Sequence, residues 1–204
     1  MEVATLILYG ANVYVRPFQP DDAEDLYQLR LRNRTFLQPW EPTQSDEQFT
    51  RAAQQEAITK ALANWQAGTA YGFGIFLNNG GHLIGRVNLS NVVRGAWESC
   101  TIGYFLDQAM NGRGYMTEAV GLVVAGAFTQ LGLHRVQAAV MPRNAASVRV
   151  VEKVGFRYEG LAEYYLKING KWEDHNIYSM TVEHWNATLR GTTITGHCSG
   201  NTGD

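Results

Sequence analysis

The chain has 204 residues, of which 45% are hydrophobic and 18% charged, a length and composition that predict one globular domain and argue against extensive disorder. Its net charge of −2 lacks the basic surplus of nucleic-acid-binding proteins, so we expect no direct nucleic-acid partner. No leader sequence is recognisable and no apolar run approaches the roughly 20 residues of a membrane span, so we expect a cytoplasmic protein without membrane contact.

The first part of the chain predicts one short strand and two helices. A β-rich run covers residues 13–15, and the next helix has Asp21 as its cap and Glu24 completing a capping box. Two prolines predict a loop over residues 36–42. Apolar residues at helical spacing predict a second helix over about 46–66.

The middle of the chain predicts a run of strands followed by a long apolar helix. Strands over residues 71–77 and 82–89 are joined by a hairpin turn at 78–81, and a third strand covers 96–106. The apolar helix is predicted over 114–131.

The last part adds strands 136–141, 158–168 and 172–182 and a helix from Asn144 to Gly155. The order β-α-α-β-β-β-α-β-α-β-β indicates a mixed α/β domain. Beyond about residue 186 the chain is rich in Gly, Thr, Ser and Asn. We therefore place the domain at residues 1–186 and predict a disordered tail over 187–204.

The two cysteines, Cys100 and Cys198, have no metal-ligand spacing, so we predict no metal site and a reducing compartment. Cys100 lies in an apolar strand, where an inert core residue is the expected role.

A turn with two glycines follows the strand that ends at Leu106 and precedes the apolar helix. Gly112 and Gly114 allow backbone N–H groups to approach a ligand closely, and a helix N-terminus favours an anion such as phosphate. Arg113 can add a direct charge contact. By itself such a turn is equally compatible with plain strand-to-helix geometry.

A second strand-to-helix unit follows at once, with Arg135 to Met141, then Asn144, and then Gly155-Phe156. Together the two units resemble the acetyl-CoA site of the GNAT superfamily. The resemblance implies a single α/β GNAT domain whose mostly antiparallel sheet is splayed open beside the strand ending at Leu106. It assigns acetyl-CoA, as cosubstrate, to Phe105, Leu106, Asn111, Gly112, Arg113, Gly114, Tyr115, Met116, Thr117, Asn144 and Ser147.

Within that superfamily the chain resembles the Rim-type ribosomal-protein alanine N-acetyltransferases from about Val13 to Trp185. The points of likeness are Leu37-Gln38-Pro39-Trp40-Glu41-Pro42, Met141-Pro142-Arg143-Asn144, Glu159-Gly160 and Gly170-Lys171-Trp172-Glu173-Asp174-His175. The resemblance implies transfer of acetyl to the N-terminal α-amine of a protein, such as a ribosomal protein beginning with Ala or Ser.

Several positions depart from the superfamily pattern. Asn111 and Met116 stand where its phosphate loop often has Gln or Arg and Gly or Ala, which leaves the backbone donors intact. Val151 and Thr101 stand where many members have a Tyr acid and a Glu base. An α-amine has a pKa near 8 against about 10.4 for lysine, so a site without a strong base suits an α-amine better.

We expect direct attack of the amine on the thioester, with Ser147 protonating the departing thiolate and Asn144 holding the pantetheine. Ser147 is also compatible with a small first-turn residue. Glu159 is a candidate base through water, or else a paired strand carboxylate. Trp40 and Glu41 are candidate acceptor-binding residues, with loop packing as the alternative for Glu41.

His175 and Asp174 are expected to be structural. Two alternatives remain open: acetylation of a polyamine or aminoglycoside, and a non-catalytic CoA-binding protein associated with the ribosome. The sequence fits either a monomer or a homodimer.

Overall fold

A computed structural model describes residues 6–194, with side chains as far as residue 188. The strands are β1 Leu8–Tyr9, β2 Val13–Pro17, β3 Tyr71–Leu77, β4 Leu83–Val93, β5 Ser99–Leu106, β6 Arg135–Val140, β7 Arg157–Ile168 and β8 Lys171–Thr181. They form one mixed sheet in the order β1-β2-β3-β4-β5-β6-β8-β7. In this sheet β5 and β6 are parallel, and the other neighbouring strands are antiparallel.

Six α-helices cover the sheet in the described part of the chain. They are α1 Ala23–Arg32, α2 Arg34–Leu37, α3 Arg51–Ala67, α4 Tyr115–Thr129, α5 Ala145–Val154 and α6 Val182–Ile194. Short 3-10 turns cover Pro20–Asp22, Gln38–Trp40, Asp46–Phe49 and Gln108–Met110. None of the described helices is both long and apolar enough to cross a membrane.

The buried side chains form two clusters on opposite faces of the sheet. Successive residues of a strand point to opposite faces, and the neighbours Phe105 and Leu106 belong to different clusters. The cluster with Leu106 includes the buried face of α4, whereas the cluster with Phe105 includes Leu26 and Leu29 of α1 and Ile58 of α3. Helices α1 and α3 therefore cover one face and α4 covers the other, with Trp65 near the end of α3 reaching the cluster on the α4 face.

Two predictions near the start of the chain are wrong in detail. Asp22, rather than Asp21 with Glu24, accepts the backbone N–H of Gln19 at 2.7 Å, because a 3-10 turn precedes α1. The predicted loop over 36–42 contains the end of α2 and a 3-10 turn, since a proline is tolerated in the first turn of a helix.

The predicted helix over 46–66 is divided at Thr50, which is extended and caps α3 by accepting from the N–H of Ala53 at 3.2 Å. Strand β1 was not predicted, since only Leu8 and Tyr9 form it.

The sequence also missed α6, which crosses the predicted boundary at residue 186. Residues 187–194 of the predicted tail are therefore helical, while 195–204 lie outside the described residues. The residues of this stretch have low helix propensity, which is why the sequence predicted a tail. Contacts between the start of α6 and the rest of the domain stabilise the helix despite that low propensity. The ring of Trp185 packs 5.7 Å from that of Phe128, and the N–H of Val182 donates to the carbonyl of His134 at 3.0 Å.

Replacing Trp185 with alanine tests this packing of α6. We expect Trp185→Ala to lower the free energy of unfolding by about 1–3 kcal/mol, because the ring is partly buried against the core. Trp172, which is 60% exposed, provides the matched control. Trp172→Ala is expected to change the free energy of unfolding by less than about 0.5 kcal/mol. Urea unfolding of both variants measures the difference, and equal effects would contradict the docking of α6.

Candidate functional site

The sheet opens where β5 and β6 separate. The two strands pair from Ser99 beside Arg135 to Ile102 beside Ala138, and their register ends there. Strand β5 continues to Leu106, still paired with β4 on its other side. Residues 103–106 thus have one free edge, which faces a cavity of about 720 Å³. The splay predicted beside this strand is confirmed.

The cavity passes through the gap and joins the two faces of the sheet. On the α4 side it is lined by Met116 and by the start of α5, and on the α1 and α3 side by Arg30 and Phe105. Two ligands can therefore approach the free edge of β5 from opposite faces. This arrangement suits a reaction in which a group passes directly from one substrate to another.

The glycine turn after β5 has the geometry of an anion cradle. Gly112 and Gly114 have φ values of 78° and 83°, a left-handed conformation that favours glycine. A Cβ atom built on either meets nothing within 4 Å, so the turn has open space beside it. Helix α4 begins at Tyr115, and the N–H groups of its first turn lack intrahelical acceptors. These donors and the helix dipole suit a phosphate group.

Asn144 and Ser147 lie together on the wall formed by α5. The side chain of Asn144 accepts from the N–H of Ser147 at 3.1 Å and so caps the helix that the sequence predicted to begin there. Both residues line the cavity. The side chain of Ser147 also interacts with the hydroxyl of Tyr104, which lies on the free segment of β5.

Tyr104 is a site residue that the sequence analysis missed. It lies on the free segment of β5 and lines the cavity, and its hydroxyl donates to the backbone carbonyl of Ser147 at 3.3 Å. Burial raises the pKa of Tyr104, so this hydroxyl stays protonated. The bond fixes the first turn of α5 against β5. The sequence assigned only the backbone of this strand to the site, so the side chain had no predicted role.

The predicted acceptor residues Trp40 and Glu41 both line the cavity. The two carboxylate oxygens of Glu41 accept from Arg30 at 2.6 and 2.7 Å, a bidentate ion pair. The guanidinium carbon of Arg143 lies 5.0 Å from the centre of the Trp40 ring. Glu41 is thus held by Arg30 and is not a free carboxylate.

Strand β4 contributes a polar row that was also missed. Arg86, Asn88 and Ser90 are two residues apart and all line the cavity. Burial, together with the nearby charge of Arg30, lowers the pKa of Arg86 to about 10. Apolar and polar residues alternate along β4, but this pattern does not distinguish a polar residue that faces a cavity from one that faces solvent.

Glu159 lies apart from these residues and does not line the cavity. It accepts from Arg135 at 2.8 and 2.6 Å and from the hydroxyl of Ser179 at 2.6 Å. The hydrogen bond from Arg135 is the main reason that the pKa of Glu159 is lowered to about 2. Arg135 begins β6, at the paired end away from the gap. This placement fits the structural alternative and gives no support to a role as base.

His175 and Asp174 have structural contacts as well. The buried ring of His175 contacts the carbonyl of Glu173 through Nδ1 at 2.9 Å, and Asp174 accepts from the N–H of Tyr164 at 2.8 Å.

Comparison with known proteins places the chain in a family. Residues 12–157 match the model of the acetyltransferase (GNAT) domain. A probable N-acetyltransferase of Bacillus subtilis, YjcK, is 45% identical over 174 residues, which is 85% of this chain and 96% of that protein. The [ribosomal protein uS5]-alanine N-acetyltransferase of Escherichia coli is 34% identical over 174 residues, 85% of this chain and 90% of its own.

Among solved structures, Mycobacterium smegmatis RimJ in complex with CoA-disulfide superposes with a TM-score of 0.82 and 31% identity, covering 89% of each chain. With more than half of its length matched by one family model and with relatives of this similarity, the chain belongs to the GNAT family of acetyl-CoA-dependent N-acetyltransferases.

Proposed function

We propose that the chain transfers the acetyl group of acetyl-CoA to the N-terminal α-amine of a protein that begins with Ala or Ser, with a ribosomal protein as the target. The name of the E. coli relative, an alanine N-acetyltransferase of ribosomal protein uS5, supports this choice of acceptor. The observation that carries the proposal is the charge of the cavity on the α1 and α3 side.

The charged side chains there do not suit a polycation. Glu41 is neutralised by Arg30, and Arg86 adds a further positive charge beside them. Glu56 and Lys60 also line the cavity, are exposed, and have opposite charges. A polyamine or aminoglycoside would need several free carboxylates, because each of its ammonium groups loses hydration on entry. An acceptor with a single amine meets no such requirement.

The cavity also favours an amine that needs little help to lose its proton. Glu41 is paired, and Glu159 lies outside the cavity with a pKa of about 2. An α-amine, with a pKa near 8, is partly neutral at physiological pH, whereas a lysine amine near 10.4 is almost wholly charged. The absence of a strong base among the described lining residues therefore matches an α-amine.

The residues of the gap fit acetyl-CoA, which supplies the activated thioester when bound. At the free edge of β5 the backbone groups of Leu106 would meet the amides of pantetheine, whereas those of Phe105, which the resemblance also assigned to the cosubstrate, face β4. Asn144 adds its side-chain amide from the opposite wall. The cradle before and within the first turn of α4 would hold the pyrophosphate through Asn111, Gly112, Arg113, Gly114, Tyr115, Met116 and Thr117.

Ser147 is the proposed acid. The amine nitrogen forms its bond to the acetyl carbon as the carbon–sulfur bond breaks, and the Ser147 hydroxyl gives its proton to the departing thiolate. The nitrogen releases its own surplus proton to water, and Ser147 is reprotonated from solvent. Tyr104 holds the carbonyl of Ser147, which keeps the first turn of α5 at the gap. Trp40 and Glu41, with Arg30, form the wall against which the acceptor lies.

A panel of acceptors tests the proposed function. We expect thiol release from acetyl-CoA with peptides that have a free Ala or Ser at the N-terminus. Three other acceptors are expected to give at least tenfold less thiol: a polyamine, an aminoglycoside, and a lysine-containing peptide blocked at its N-terminus. Among the described lining residues the carboxylates are Glu41, which is paired with Arg30, and Glu56, too few for a polycation. Release with the polyamine or aminoglycoside alone would contradict the proposal.

Replacing Ser147 with alanine tests the acid. We expect Ser147→Ala to lower kcat by about 10²-fold or more, the usual contribution of general acid catalysis, with the affinity for CoA unchanged. Ser179→Ala removes a hydroxyl at the paired end of the sheet and is expected to retain kcat. Stopped-flow thiol release and calorimetric titration with CoA measure the two quantities. Equal kcat values for the two variants would exclude Ser147 as the acid.

A further inference from the structure

Arg86 lines the cavity without a polar partner of its own. Within residues 6–194 its side chain makes no hydrogen bond and no ion pair. Its contact is with the face of Phe105, whose ring centre lies 5.3 Å from the guanidinium carbon. Neighbouring arginines are paired: Arg30 with Glu41, and Arg32 with Asp107 at 2.7 Å. The missing partner distinguishes Arg86 from them.

An unpaired guanidinium in a half-buried position is costly, because its donors lose water without gaining an acceptor. The lowered pKa of Arg86 reflects this burial. An oxygen acceptor on a bound ligand would relieve the cost. The charge of Glu41 acts on Arg86, but its oxygens bond Arg30, so a direct acceptor for Arg86 would enter from the cavity.

The position of Arg86 identifies the ligand as the acceptor rather than acetyl-CoA. Arg86 is paired across β4 and β5 with Phe105, so it lies beside the free segment of β5. Its guanidinium and that of Arg30 both contact the ring of Phe105, which belongs to the cluster on the α1 and α3 face. The phosphate cradle and Ser147 lie with α4 and α5. Arg86 therefore faces the side from which the amine approaches.

We propose that Arg86 binds the carbonyl oxygen that follows the acceptor amine, so that the site selects amines with a carbonyl or carboxylate on the adjacent carbon. This inference rests on the proposed function and names the chemical class of its acceptor. In an N-terminal residue that oxygen lies three bonds from the nitrogen. A polyamine and a lysine side chain have no oxygen there. The positive charge of Arg86 also favours the neutral form of the bound amine.

A double-mutant cycle between protein and acceptor tests the contact. The two acceptors are a peptide beginning with Ala and its analogue in which a trans-alkene replaces the first peptide bond, which removes the carbonyl and keeps the shape. For the wild-type protein we expect loss of the carbonyl to lower kcat/KM about 10- to 100-fold, mostly through KM, as for a hydrogen bond to a charged group. The amine of the alkene analogue is more basic because it lacks the electron-withdrawing carbonyl, so kcat/KM is expressed per neutral amine for both acceptors. On that basis the two acceptors are expected to differ by less than about twofold for Arg86→Met.

Matched variants complete the design. Arg157, exposed on β7, provides Arg157→Met, which is expected to keep the full preference for the carbonyl. Arg86→Lys keeps the charge but not the planar fork, so an intermediate preference is expected. CoA affinity and thermal unfolding show that each variant is folded, and if Arg86→Met is not, Arg86→Leu, which also has no donor, replaces it.

Two outcomes would count against the inference in different ways. If the wild type acetylates the Ala peptide and Arg86→Met loses activity equally on both acceptors, Arg86 does not contact the carbonyl, while the proposed function stands. If the wild type acetylates the polyamine and neither peptide, the proposed function fails and this inference fails with it.

Discussion

The separation of β5 from β6 beyond Ile102 is the constraint on which the rest of the site depends. Backbone N–H and C=O groups inside a protein require partners, and a strand with one free edge offers them to a ligand. The separation also opens a passage between the faces of the sheet, where in the proposed reaction the cosubstrate and the acceptor would meet at the same edge. Tyr104 and the cap formed by Asn144 keep α5 beside that opening.

The electrostatics of the two sides differ for a physical reason. On the α4 side, helix N-termini and glycine turns favour anions. On the other side, Glu41 is neutralised by Arg30, and Arg86 has no hydrogen-bond acceptor among the described residues. A site of this kind does not attract polycations. It suits an acceptor that brings one neutral amine and one oxygen acceptor, which an N-terminal residue provides.

Local patterns predicted most elements and also suggested the residues proposed to hold the cosubstrate, because glycine turns and helix caps leave signals a few residues long. Gly112, Gly114 and Asn144 are examples. Long-range contacts left no such signal. Helix α6 depends on Trp185 meeting Phe128, the pairing of Glu159 with Arg135 joins two strands, and the exposure of Arg86 to the cavity depends on the separation of β5 from β6.

Hydrogen–deuterium exchange with and without CoA tests the central claim most directly, since it reports on backbone groups one segment at a time. If the free edge of β5 holds the cosubstrate, the amides of Tyr104 and Leu106 and those in the cradle at 112–117 become protected when CoA is added, while those of Phe105 and of Ser99 to Ile102, already bonded within the sheet, are slow in both states. Unchanged exchange over both segments at saturating CoA would contradict the account.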